Sequence, residues 1–305
     1  MLFNELLVQK FNSLTPCFTK LFDLAVSNQT HPGDLLLVME NAWLSMKQDH
    51  DNGGNLKAFY NIGMDIDGHC QNTNYDFILQ YVNGTPDLKY QEYLAKISFN
   101  AGRSKEILEV TFGEGITIQV EMLIYLKIWE GETFIKKWYQ LMRLVDGEDY
   151  DWHLSIKGFG GKVYGSLSRH EMFRYIKEKL QKHVPDLYEV FKRTHRSQIR
   201  NAIAHSQYAI LGRNIMLNNF EESKSDSLGG LSFDEWIDIF HETIELFNQY
   251  TKLFKKIRSY CFDKSLLVNK KAEVRVSRKH PTINQFLTVL YTRDFFEDWS
   301  PYPNR

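Results

Sequence analysis

Phe191-Lys192-Arg193-Thr194-His195-Arg196-Ser197-Gln198-Ile199-Arg200-Asn201-Ala202-Ile203-Ala204-His205 carries apolar residues at helical spacing and closes on three polar groups of different chemistry. Phe191, Ile199, Ala202 and Ile203 fall on one stripe of a helix with about 100° per residue. Arg200, Asn201 and His205 supply a fixed guanidinium, a small amide and an imidazole. An imidazole moves protons near neutral pH, and a guanidinium holds a phosphate through two parallel hydrogen bonds. RNA cleavage without a metal is therefore within the reach of this short run.

The surrounding charge agrees. From Val190 to Phe220 the sequence has Lys192, Arg193, Arg196, Arg200 and Arg213 but neither Asp nor Glu. Lys192, Arg193, Arg196 and Arg213 are the expected RNA contacts beside the reacting groups. The whole chain is different, with 37 Lys and Arg against 38 Asp and Glu and a formal net charge of -1. A general nucleic-acid coat protein is excluded, and any polyanion must be met locally. A second basic zone, Lys252 to Lys279, contains only Asp263 and Glu273 as acids. It reads equally as a solvated helix face and tail or as an RNA-contacting surface.

At 305 residues, 43% of them hydrophobic and 14% aromatic, the chain can fill two cores or one core with an appendage. Cys17, Cys70 and Cys261 lie far apart without metal-ligand spacing, which implies neither a disulfide framework nor a zinc module and fits a reducing cytoplasm. The first ten residues carry an acid early, and no stretch approaches the roughly 18 apolar residues of a membrane span. A soluble, unsecreted, cytoplasmic protein with no membrane partner is expected.

Along the chain, Leu6, Leu7, Phe11 and Leu14 predict an amphipathic helix. A break at His31-Pro32-Gly33-Asp34 precedes a second helix over Leu35–Met46. Asp49–Pro86 reads as loops, turns and short strands. Ile116–Val145 gives the longest helical pattern, with Gly131 at a bend or close contact. A glycine-rich turn at Gly158–Gly165 precedes a helix over about Ser166–His183, and Pro185-Asp186 opens the helix that carries the motif. Tyr208–Leu217 predicts a β-hairpin turning at Gly212, Arg213 and Asn214. Ser232-Phe233-Asp234-Glu235 is a capping-box pattern opening a helix to about Tyr260. The tail is expected to hold a strand, Ala272–Val276, and a short helix, Ile283–Thr292.

On one continuous helix His195 lies near the apolar stripe and reads as a core or boundary histidine. Arg193, Arg196 and Arg200 share a flank, while Asn201 and His205 share the other. Arg200 and His205 stand about 140° apart, a separation that two side-by-side copies of the helix would bridge. A homodimer follows as an expectation.

Arg200-Asn201-x-x-x-His205 resembles the Arg-polar-x(3 to 5)-His signature of the HEPN superfamily, helical domains of prokaryotic toxins, phage-defence effectors and ancillary ribonucleases. The resemblance extends over about residues 116–262, including the following hairpin and helix. It implies a mainly α fold, a HEPN-type helical bundle with a short β-hairpin, preceded by an N-terminal helical or α+β region. Residues 1–115 would be an N-terminal region of sensor, regulatory or RNA-recognition role, and 263–305 a basic extension. It further implies metal-independent endoribonuclease activity at a dimer interface, RNA such as tRNA as substrate, no cofactor, and an inhibitor or antitoxin partner. Arg200 and His205 would carry the chemistry, with Asn201 orienting the histidine or a phosphate oxygen. The alternative is a non-catalytic HEPN-like module that dimerises or binds a nucleotide. Some toxins of this superfamily look like R-x4-H-x-Tyr, with the tyrosine as a modification target; here Tyr208 falls one place late.

Weaker patterns are explained locally. Asp65-Ile66-Asp67-Gly68-His69-Cys70 has metal-ligand types but no second ligand pair, so no metal site is expected. Gly158-Phe159-Gly160-Gly161-Lys162 lacks the phosphate-loop spacing and reads as a turn. Trp43, Phe59, Tyr60, Phe77 and Tyr81 read as core residues.

Overall fold

The computed structural model describes residues 1–50, 53–63, 66–84, 89–98, 105–156, 166–223, 225–263, 271–280, 283–292 and 300–301. In chain order the first elements are α1 (Asn4–Asn28), α2 (Asp34–Glu40), β1 (Trp43–Asp49), β2 (Asn55–Asn61), α3 (Ile66–Gly84), α4 (Tyr90–Ser98), α5 (Lys105–Trp129) and α6 (Glu132–Val145). Then come β3 (Ser155–Ile156), β4 (Ser166–Leu167), α7 (Arg169–His183), α8 (Pro185–Thr194) and α9 (Ser197–Ala204). The rest are β5 (Tyr208–Leu211), β6 (Asn214–Leu217), β7 (Gly230–Ser232), α10 (Phe233–Asp263), β8 (Lys271–His280), β9 (Ile283–Thr292) and β10 (Ser300–Pro301). The fold is mainly α, with sheets of two or three strands among the described residues. No helix there is long and apolar enough to cross a membrane.

Two compact units interleave along the chain. The first takes Met1–Cys17, Asn72–Gly131 and Asp186–Tyr250; the second takes Phe18–Gln71, Glu132–Pro185 and Thr251–Arg305. The units follow packing rather than chain order, so their limits differ from the consecutive stretches 1–115, 116–262 and 263–305.

In the first unit α5 packs on α9, and an aromatic core surrounds that contact. Trp129 meets Phe191 edge-on at 5.2 Å and His195 at 5.1 Å, while Tyr125 lies 5.6 Å from Trp236. The fully buried Glu121 accepts hydrogen bonds from Trp236 Nε1 (2.8 Å) and Tyr81 Oη (3.1 Å), and the amine of Met1 lies against the same carboxylate, so it is met from α3, α10 and Met1 together. His241 is likewise satisfied. Its Nε2 accepts the Phe3 N–H (2.9 Å) and its Nδ1 donates to the Ile237 carbonyl (2.7 Å), and burial lowers its pKa to about 4.

In the second unit α6 buries Phe134, Trp138, Leu141 and Val145, packing on α2 and α7. Asp34, the first residue of α2, is 2% exposed. Its Oδ2 accepts from Thr30 Oγ1 (3.1 Å) and from the His31 N–H (3.2 Å), and the same hydroxyl is hydrogen-bonded with the Asp149 carboxyl group. One hydroxyl proton cannot serve two carboxylates. Burial assigns the extra proton to Asp34, whose pKa is pushed up to about 7. Gly33, beside it, has no room for a side chain, because a Cβ there would lie 2.5 Å from the Glu273 carbonyl oxygen. Gly33→Ala is expected to cost about 1–3 kcal/mol in urea unfolding, through forced separation of α2 and β8.

Several elements follow the sequence closely. Pro185 opens α8, the hairpin joins β5 to β6 with Leu211 opposite Asn214, and Ser232 and Glu235 exchange the reciprocal bonds that start α10. Others differ. The helix expected over Leu35–Met46 ends at Glu40, where Asn41 turns left-handed (φ 55) and the chain enters β1. Asp49–Pro86 contains a 19-residue helix, α3, fixed by tertiary partners such as the Tyr81–Glu121 bond. The Asp67 to Cys70 segment is its first turn, and Asp65 lies outside the described residues. Ile116–Val145 divides into α5 and α6 around Glu130-Gly131, and α5 begins upstream at Lys105. Ile283–Thr292 is a strand, paired along its length with a β8 that runs from Lys271 to His280. Its β-branched and aromatic residues suit a sheet as well as their spacing suits a helix, and the available partner decides. The Gly158–Gly165 turn lies outside the described residues.

Candidate functional site

The motif does not sit on one continuous helix. α8 stops at Thr194, Arg196 is extended (φ -112, ψ 113), and α9 restarts at Ser197. Tyr125 makes the break: its buried hydroxyl donates to the Thr194 carbonyl (2.7 Å), an acceptor that a continuing helix would have used. The Tyr125 hydroxyl oxygen in turn accepts the Arg196 N–H (3.4 Å). Burial raises the Tyr125 pKa, keeping the hydroxyl a donor. Beyond the break, Ile199, Ala202 and Ile203 are buried and hold α9 with Arg200, Asn201 and Ala204 on its other faces. His195 is buried against Trp129, as a core histidine should be.

His205 is the exposed residue that ends α9. Its N–H bonds the Asn201 carbonyl (3.0 Å). The Ser206 N–H then reaches Ile203 (3.2 Å) and the Gln207 N–H reaches Ala202 (2.7 Å), with Ser206 left-handed at φ 54. This closure satisfies the last carbonyls and fixes the backbone under the imidazole. Because His205 lies past the last helical residue, the 140° of an ideal wheel does not describe its position relative to Arg200. Ser206→Gly should stabilise the chain by about 0.5–1 kcal/mol, measured as a rise in the urea midpoint, since glycine adopts positive φ without a Cβ penalty.

Arg200 is held. Its Nη2 donates to Asn201 Oδ1 (2.8 Å) and its Nε lies 3.0 Å from Glu130 Oε1, leaving the side chain 19% exposed. Arg200, Asn201 and Glu130 thus form one hydrogen-bonded group, in which Asn201 touches the guanidinium rather than the imidazole. Sequence reasoning missed Glu130. Its only sequence signal is an acid just after α5, in the run Glu130-Gly131-Glu132, and nothing local connects it with Arg200.

The expected cationic strip is largely neutralised in space. Arg193 forms a two-point pair with Glu242 (2.8 and 2.6 Å), and Lys10 shares that carboxylate at 3.0 Å. Arg213, at the hairpin turn, pairs with Glu114 and Asp234 (both 3.1 Å) and lies over the Tyr93 and Phe233 rings. Burial pushes the Glu114 carboxyl upward, and Arg213 offsets part of that shift. Lys192 extends over the Tyr188 ring, and Arg196 is half-buried; neither forms an ion pair among the described residues. Of the four expected RNA contacts, two are therefore tied to carboxylates from α5 and α10. In the second basic zone Lys252, Lys255, Lys256 and Arg258 are exposed on α10, Lys256 lying 3.9 Å from the Phe22 ring centroid.

A polar bracket flanks α9. Gln198 Nε2 donates to the Leu228 carbonyl (2.8 Å), its Oε1 accepts the Leu228 N–H (2.9 Å), and its backbone carbonyl accepts from Asn219 Nδ2 (2.9 Å). The segment after β6 is thereby fastened to the helix that carries Arg200. No family model matches the chain, and neither a curated protein nor a solved structure does.

Proposed function

We propose that the chain is a metal-independent endoribonuclease of HEPN type, acting as a homodimer in toxin-like or antiviral defence. The observation that carries the proposal is the end of α9: an exposed histidine on a fixed turn, five residues after an arginine oriented by Asn201 and Glu130. His205 would take the proton of a ribose 2′-hydroxyl. The 2′-oxygen attacks phosphorus, the bond to the 5′-oxygen breaks, and that oxygen receives a proton. Arg200 would stabilise the charge on the five-coordinate phosphate. The products are a 2′,3′-cyclic phosphate and a 5′-hydroxyl.

Lys192 and Arg196 are the proposed phosphate contacts, while Arg193 and Arg213 have structural partners. An inhibitor or antitoxin would act by covering the α9 end. The test is incubation of the purified chain with unstructured RNA and tRNA in excess EDTA, followed by end-group analysis. Cyclic phosphate ends that disappear with Arg200→Ala and His205→Ala support the enzyme. A folded protein that leaves RNA intact supports the rival, a non-catalytic HEPN-like scaffold, for which the engagement of Arg200 by Glu130 is the favouring observation.

A further inference from the structure

Phe220 is an aromatic side chain 46% exposed on a segment whose backbone is held on both sides. Before it, the Asn218 N–H bonds the Gln207 carbonyl (2.9 Å) and Asn219 Nδ2 bonds the Gln198 carbonyl (2.9 Å). After it, the Glu221 N–H bonds Ser227 Oγ (2.9 Å). The segment therefore runs back beside α9, from the residue two places after His205 to the residue two places before Arg200. Single exposed apolar residues are common on protein surfaces. An aromatic ring that makes no ring or cation contact among the described residues, on a chain pinned at 218, 219 and 221, is a prepared face rather than a mobile tip.

We infer that Phe220 is a stacking platform for an unpaired RNA base next to the cleaved bond, an inference that rests on the ribonuclease proposal. Every base has a π-face, and aromatic stacking is how single strands are held without reading sequence. The adjoining charge separates the two parts of a nucleotide. Glu222 is an exposed carboxylate that repels phosphate but accepts hydrogen bonds from exocyclic amines. The phosphate consequently belongs to α9 and the base to the Phe220 segment. Phe220 follows Asn219, which bonds the Gln198 carbonyl in the first turn of α9, whereas His205 ends that helix, so the base is a flanking one. Adenine and cytosine carry the amine that uracil lacks.

The test uses the full chain with fluorescent 2′-O-methyl oligo(A), oligo(C) and oligo(U), which cannot be cleaved through the 2′-oxygen, read by anisotropy. Phe220→Ala should weaken oligo(A) and oligo(C) binding about 5- to 150-fold, the range of one base stack. Phe220→Trp should retain it, and oligo(U) should bind more weakly throughout. Unchanged binding by Phe220→Ala overturns the platform and leaves the ribonuclease proposal standing. So does altered self-association with unchanged RNA binding, which would assign the ring to a protein contact. Loss in Phe220→Ala that Trp does not restore also overturns it. A folded wild type that binds none of these RNAs and cleaves no RNA removes both ideas together.

Discussion

Replacing His205 with alanine is expected to slow RNA cleavage by about 10²- to 10⁴-fold, the usual worth of a positioned proton-transfer group. The imidazole is exposed at the end of α9, and the turn beneath it is closed by backbone bonds to Asn201, Ile203 and Ala202. Urea unfolding of His205→Ala should therefore match the wild type, so that lost rate reports chemistry rather than folding. The companion change, Arg200→Lys, keeps the charge beside Glu130 but loses the planar fork that spans two phosphate oxygens. A large fall in rate is expected there too, with the RNA end groups unchanged. Cleavage at wild-type rates by His205→Ala would remove the imidazole from the reaction.

The second large effect is a hidden pair of opposed titrations. His241 is buried neutral, with a pKa of about 4 against an ordinary 6.5, so its contribution is complete above 6.5 and is lost as pH falls towards 4. That gap corresponds to something on the order of 3 kcal/mol. Asp34 has the opposite sign. With its pKa pushed up to about 7 from an ordinary 3.8, its contribution is complete below 3.8 and is lost as pH rises through 7, on the order of 4 kcal/mol in all. Between about pH 4.5 and 6.5 the two trends largely cancel. The amine of Met1, lowered by burial to about 5 from an ordinary 8.0, adds a rise above pH 5. Wild-type stability by urea unfolding should therefore climb gently with pH, whereas Asp34→Asn, which offers an amide donor to the Thr30 oxygen and cannot ionise, should climb more steeply. Parallel curves for the two proteins would show that Asp34 does not hold the extra proton.

Legibility in the sequence followed the range of the interactions. The start of α8 at Pro185, the start of α10 at Ser232 and the hairpin turn at Gly212 depend on residues within a few positions of each other, and each was readable. α3 was not. Its first half, with Gly68, Asn72 and Asn74, has weak helix formers, and it is held by Tyr75 against Phe247 and Tyr81 against Glu121. The break between α8 and α9 comes from a tyrosine on another helix, so no wheel drawn from Phe191 to His205 contains it. Charge behaved the same way. The sequence from Val190 to Phe220 lacks acids, yet Glu114, Glu130, Asp234 and Glu242 come from elsewhere to meet its arginines. At the candidate site, the identities of Arg200, Asn201 and His205 were legible, while Glu130 and the contact between Asn201 and Arg200 were not.

Gln198 makes to Leu228 the two bonds that a neighbouring peptide group would make, one given and one received. Its side-chain amide is a peptide unit carried on a helix, and it pairs with the backbone of residue 228 without touching that residue's identity. Any amino acid other than proline satisfies it there. Such a clasp fixes the path of the loop at residue 228 while leaving that letter free, unlike Ser227, whose own hydroxyl holds the Glu221 N–H after Phe220. Gln198 itself has no such freedom: glutamate in its place would set a carboxylate oxygen against the Leu228 carbonyl and undo one half of the pairing.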